Sequence, residues 1–409
     1  MEEEPTNKPR ILIGGVPFGR GNVADEAVAE AVVTIVRELC PTAEISVSTD
    51  QEAPTRKRLS IKTSPLIEFP DSKISQEMTR EIIRDQDWII WAGAFGLSDY
   101  PLEALSLLDQ AQQEGVKTII FCVGQDSRAT RPTTSGAKKA LFGTIRFLTA
   151  GIVDLNAESE AKRDASLVEI INRVIPKTDL VILRDHATAN ELGKLLDAPE
   201  PKLIGADPMI SLTCQDIDTC RFPRDTMDFL ERSDFKIALS ISSDYPAASL
   251  RRIKSTLDSL ITNKQAKFLG IPLNPSTDTQ ALTELQSQLE TPAAMLVLKG
   301  SYDPDEIMAA TSRVDVVISD QRELLFLAAN TLTPFVNLGP HSSSKTLAEQ
   351  FGLPTVNNCS DVESEIFAKE IAELTEIRAS FRKKAITVKL DMLAQLKAAK
   401  QQLSDTLNR

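Results

Sequence analysis

Short runs of apolar, β-favouring residues alternate with amphipathic stretches of helical period along nearly the whole chain. This alternation limits the possible folds more than any other feature. In the first half the strand-like runs fall at 10–16, 45–49, 88–93, 118–123, 180–184 and 202–205, with helical periods at about 25–39, 75–85, 101–114 and 186–196 between them. Strands separated by helices imply crossover units and a parallel sheet. The runs are apolar throughout and do not alternate with polar residues, as expected when helices cover both faces of a sheet.

The pattern pauses over 209–233, where Asp218, Pro223, Cys214 and Cys220 sit without periodicity, and then restarts. New strands are expected at 236–241, 268–272, 295–298, 314–318, 334–338 and 355–356, with helices at 247–261, 279–289, 305–311, 322–332 and 344–351. From 361 onward the sequence reads as helix. The expected fold is therefore α/β. It has two Rossmann-like domains, 9–212 and 234–360, facing each other across a cleft, and a C-terminal segment, 361–409, forming a long helix. A polar loop and helical stretch at 125–161 is longer than an ordinary connection and reads as an insertion, either structural or lining the cleft.

Composition narrows the function. The net charge of -12 gives no electrostatic footprint for nucleic acid or an anionic membrane. The basic run Arg56-Lys57-Arg58 reads as a solvated loop. No stretch has the roughly 18 apolar residues of a membrane span, and the acidic, proline-broken start is unlike a secretory signal. With five scattered cysteines and two distant histidines, neither a disulfide framework nor a zinc site is expected. These features suit the cytoplasm, with no metal and no cofactor.

Ligands of parallel sheets bind beyond the carboxyl ends of the strands, so those ends hold the candidates. After the first strand come Gly21, Asn22, Asp25 and Glu26, in a glycine-containing loop before a helix start. The spacing matches neither a GxGxxG fingerprint nor a Walker loop. Asp25 and Glu26 equally suit a positive helix end. Gly93 follows another strand. Arg184 follows a third, placed for a carboxylate or phosphate or for a local pair with Asp185. Asp207 caps a turn or meets ligand. Ser242 stands in a hydroxyl-rich loop, and Gly339 to Lys345 combines a glycine, His341, three serines and a lysine at a helix start, a candidate anion site.

In their order these loops resemble the polysaccharide pyruvyl transferase family. The segment Gly21-Asn22-Val23-Ala24-Asp25-Glu26-Ala27 is similar to its GN-x-GDEA-like opening. The turn within 87–96, Arg184-Asp185, Asp207-Pro208, the 329–334 spacing, Lys345 and Gly352-Leu353-Pro354 continue the likeness over about 10–356. The resemblance implies a GT-B-like arrangement and transfer of a pyruvyl group from phosphoenolpyruvate to a sugar of a cell-surface polysaccharide. The acceptor would be a sugar, nucleotide-sugar or lipid-linked sugar. Arg184 and Lys345 would hold the donor. The family's arginine and histidine positions fall on Gln321 and Glu323, counting back from Pro334, so Glu323 or His341 would have to act as the acid. That departure keeps two alternatives open. One is a non-catalytic relative that binds a nucleotide-sugar or a partner. The other is a GT-B-type glycosyltransferase using Asp320 or Glu323. The C-terminal helix would either close the cleft or carry an oligomer contact.

Overall fold

The computed structural model describes residues 8–93, 97, 100–125, 155–197, 203–356, 364–376 and 378–409. Seven parallel strands form the first sheet: β1 Arg10–Phe18, β2 Glu44–Thr49, β3 Lys62–Pro65, β4 Trp88–Ala92, β5 Lys117–Val123, β6 Leu180–Leu183 and β7 Leu203–Ile204. Their order is β3-β2-β1-β4-β5-β6-β7. Ile11 registers with Ile45 on one side and Trp88 on the other. The second sheet holds β8 Lys236–Ser240, β9 Lys267–Gly270, β10 Met295–Val297, β11 Val316–Ser319 and β12 Phe335–Asn337 in the order β10-β9-β8-β11-β12. A parallel bridge from Asn337 to Thr355 extends its edge.

Both orders reverse once, between β1 and β4 and between β8 and β11. At such a reversal the helices leave in opposite directions and open a crevice at the strand ends. The apolar runs end up as expected: Ile11, Leu12, Ile13, Ile89, Ile90, Ile237, Leu239, Val316 and Val317 are essentially fully buried. One buried apolar cluster runs through both halves, from Ile11 and Val32 to Phe268 and Phe326.

The helix Val23–Leu39 shows why the halves cannot be described separately. Asn22 starts it, its Oδ1 accepting the Ala24 N–H at 2.9 Å. Small and β-branched residues are then buried around most of its circumference, so it lies between layers and not on the surface. Its first N–H, of Val23, donates to Leu273 O beyond β9 at 2.9 Å. Further along, Asn330 Nδ2 donates to Met209 O and Leu212 O at 3.1 and 3.2 Å. The strand ends of the two sheets therefore face each other.

The C-terminal region forms helices Ser364–Glu376 and Arg378–Leu407. The second begins on the second sheet's layer, with Arg378 Nη1 2.9 Å from Asp315 Oδ1 and Lys389 Nζ 2.9 Å from Asn330 O. It ends on the first: Lys400 pairs with Glu38, and a Cβ at Gly205 would sit 3.2 Å from Ala399 Cβ.

The sequence pattern missed several elements. Helix Glu52–Leu59 contains Pro54 and three basic residues and buries only Thr55 and Leu59, so it has no apolar stripe to read. Helix Arg224–Glu231 lies within the pause. Of 125–161, residues 126–154 lie outside the described residues, and helix Leu155–Val174 follows. Among the described residues no helix is long and apolar enough to cross a membrane.

Candidate functional site at the facing strand ends

At the reversal of the second sheet, β8 runs into Ser242 and β11 into Asp320. Asp320 is 8% exposed. Its carboxylate accepts the Ser242 N–H at 3.0 Å and also the Ser242 hydroxyl in a short bond. Burial pushes the Asp320 carboxyl up to about 6, against these hydrogen bonds, and Asp244 adds to the rise. Gly339, just past β12, presses on the Asp320 carbonyl so closely that a Cβ there would collide with it. Gln321 continues the arrangement, its N–H bonding Ser319 Oγ at 2.9 Å and its Nε2 bonding Asp278 Oδ2 at 3.0 Å.

Between the sheets lies a group of four charges, of which Arg184, Asp207 and Arg322 are buried and Asp185 is half-buried. Arg322 Nη1 is 2.7 Å from Asp207 Oδ2, and Arg184 Nε is 2.7 Å from Asp185 Oδ2. Burial, then the neighbouring Arg322 charge, lowers the Arg184 pKa. Arg322 also lies over the Phe326 ring, 5.1 Å from its centroid. Each acid has a second task. Asp185 Oδ1 accepts the Thr188 N–H at 2.7 Å to start helix His186–Gly193. Asp207 Oδ1 accepts the Met209 N–H at 3.1 Å to start the turn Pro208–Ser211.

On the first sheet, β1 ends in a loop with Gly19 and Gly21 at φ values of 83° and 77°, a region glycine enters without strain. Gly19 N–H donates to Glu26 Oε1 at 2.7 Å, so Glu26 folds the loop back onto its own helix. Asp25 lies beside it in the first turn, and buried Gly93 follows β4.

The structure thus brings Ser242 to Asp320, and both Arg184 and Asp207 to Arg322. It places His341 at the cap position of helix Ser342–Phe351, with Lys345 exposed one turn on and its N–H bonded to His341 O. Glu323 is half-buried in the first turn of Arg322–Asn330. Sequence reasoning passed over Asp278 and Gln321 as binding residues, and offered Arg322 only as the family's arginine with the register slipped by one. Their signal was positional only: each stands at or next to a helix start facing the crevice. Among the described residues, no group of three or more His, Cys, Asp or Glu side chains is arranged to hold a metal ion.

No protein-family model matches the chain, and no curated protein matches it. Solved structures do. The Anabaena protein HepE in complex with UDP-glucose is 13% identical with a TM-score of 0.59, covering 98% of this chain and 99% of that one. UDP-GlcNAc 2-epimerase from Neisseria meningitidis bound to UDP-GlcNAc is 12% identical at TM-score 0.58, covering 98% and 99%. A glycosyltransferase from Rickettsia africae is 10% identical at 0.58, covering 98% and 97%. The fold is GT-B-like. These similarities correct the resemblance to polysaccharide pyruvyl transferases, and with it the expectation of phosphoenolpyruvate. The physical reason lies in the quoted motifs. Asn22, Asp185 and Asp207 each cap a helix or turn, so capping chemistry common to many α/β folds produced the likeness.

Proposed function

We propose that the chain is a GT-B-type glycosyltransferase that binds a nucleotide-sugar between its two sheets, with domain limits near 9–212 and 234–360. The observation that carries this reading is the buried Ser242–Asp320 pair at the reversal of the second sheet. A carboxylate at a strand end repels phosphate but accepts hydrogen bonds from ribose or sugar hydroxyls. The helix starts beside it, at Arg322 and at Ser342, offer N–H groups and a positive dipole end for a diphosphate. In this reading Lys345 and His341 approach the diphosphate from the second sheet. Gly21, Asn22, Asp25 and Gly93 border the acceptor on the first, and Arg184 and Asp207 set the spacing of the halves. Three similar solved structures, in complex with UDP-glucose, UDP and UDP-GlcNAc, support the ligand class.

Calorimetric titration with UDP-glucose and UDP-GlcNAc, run beside Asp320→Asn, tests the proposal. Binding weakened at least about ten-fold by the substitution is expected, the loss of one charge-assisted hydrogen bond. If neither nucleotide-sugar binds the unaltered protein, the reading fails. The similar structure from Neisseria meningitidis is a UDP-GlcNAc 2-epimerase, which favours sugar epimerisation as the second reading. Incubation with UDP-GlcNAc decides between them, since an epimerase yields the C2 epimer with no acceptor present.

A further inference from the structure

The run Arg56-Lys57-Arg58 reads in sequence as a solvated loop, yet the Arg58 side chain is only 16% exposed. It reaches from helix Glu52–Leu59 into the contact between the two halves. Its Nη2 pairs with Glu26 Oε2, its Nη1 lies 3.3 Å from Glu30 Oε2, and both nitrogens lie 3.4 Å from Glu26 O. On the far side its Nε lies 4.0 Å from Asp303 Oδ1, beside the start of helix Pro304–Ser312 in the second half. Asp303 is held there by Arg221 Nη2 at 2.8 Å, and Arg221 also pairs with Glu306 at 2.5 Å. One guanidinium thus stands between acids of both halves.

We propose that this seam is a pH-sensitive latch, in which Arg58 draws the two halves together and the charge on Glu30 sets how firmly they hold. Glu30 faces Arg58, Asp305 and Asp303 from across its helix, and Glu26 from its own. With Glu30 ionised, four carboxylates, those of Glu26, Glu30, Asp303 and Asp305, crowd the seam around Arg58, and Arg221 holds Asp303 from the second half. Protonation of Glu30 removes the one central to the contact. The Glu30 carboxyl is pushed up to about 7, by burial first, opposed by Arg58 and reinforced by Asp305, Asp303 and Glu26. If the seam opens, burial and the acids of the other half are both relieved, so the pKa falls back toward its ordinary 4.5. The closed seam therefore binds the proton more tightly. It is favoured below about 7 and loosens as pH rises through that value.

The Val23 amide reports on the seam directly, because it donates to Leu273 O across the two halves. Its hydrogen exchange in the full chain, corrected for the intrinsic pH dependence, is to be compared at about pH 6 and about pH 8. Protection about ten-fold lower at the higher pH is expected, the linkage of one proton over that interval. Glu30→Gln should abolish the difference and stay protected at both. Asp305→Asn removes a repelling charge and should move the midpoint downward. Protection that does not depend on pH in the unaltered protein, an unchanged pH response in Glu30→Gln, or a midpoint that Asp305→Asn leaves in place would each overturn the latch.

Discussion

Asp207 reaches out of the first half to grip Arg322 of the second at 2.7 Å, with both side chains almost wholly withdrawn from water. Such a pair contributes little net stability compared with apolar residues, because desolvation offsets attraction. Breaking it is another matter. Asp207→Ala removes the carboxylate facing Arg322 and the acceptor that starts Pro208–Ser211. A loss of roughly 3–4 kcal/mol is expected. Joint replacement by Asp207→Leu and Arg322→Met should recover much of it, which denaturant unfolding of the single and double variants would show.

Asp320 predicts a pH dependence of stability. Its carboxyl is held at about 6 in the fold against an ordinary 3.8, so the folded chain binds the proton more tightly than the unfolded one. Its contribution is most favourable below about pH 4 and is lost as pH rises through about 6, a swing on the order of 2–3 kcal/mol. Asp320→Asn keeps an acceptor for the Ser242 N–H but cannot ionise. Calorimetric melting at several pH values should show this decline in the unaltered protein and a flatter profile in the variant.

How much of this was legible in the sequence depends on whether a residue's role is set locally. Continuous apolar runs such as Ile89-Ile90 and Val316-Val317 announce buried parallel strands, because no partner is needed to read them. Capping residues such as Asn22 are equally local, yet their recurrence at strand ends also mimicked a family motif. Arg58 could not be placed from its neighbours, since Asp303 lies 245 positions away and its helix has no apolar stripe. Arg322 and Asp207, 115 positions apart, form their pair only once the two sheets face each other. The site consists largely of contacts of this second kind.

Gly339 is required by a close approach and not by an unusual backbone angle. A methyl group at this position would collide with the Asp320 carbonyl, which is backbone and cannot swing aside. Gly339→Ala should therefore displace the end of β11 or of β12, at a cost of roughly 1–3 kcal/mol. Because Asp320 moves with its carbonyl, nucleotide-sugar affinity should fall together with melting temperature. A variant that melts normally and binds normally would show that the loop can yield without disturbing the pair.

The terminal helix makes the last prediction, because it is fastened at both ends to different halves. Arg378 and Lys389 tie its beginning to the second sheet's layer, while Ala399, Leu403 and Leu407 are buried toward its end, where Ala399 meets Gly205 and Lys400 meets Glu38. Leu403 is fully buried, so Leu403→Ala should cost roughly 3 kcal/mol through lost transfer energy and the cavity left behind. Removing residues 393–409 should cost more, since it uncovers the surface around Gly205 and frees one end of the strap. If the helix served another chain instead, truncation would leave the melting temperature of the isolated chain unchanged and alter only its size in solution. Sedimentation and melting measured on the same truncated protein separate the two, and a lowered melting temperature without a change in mass is the expected result.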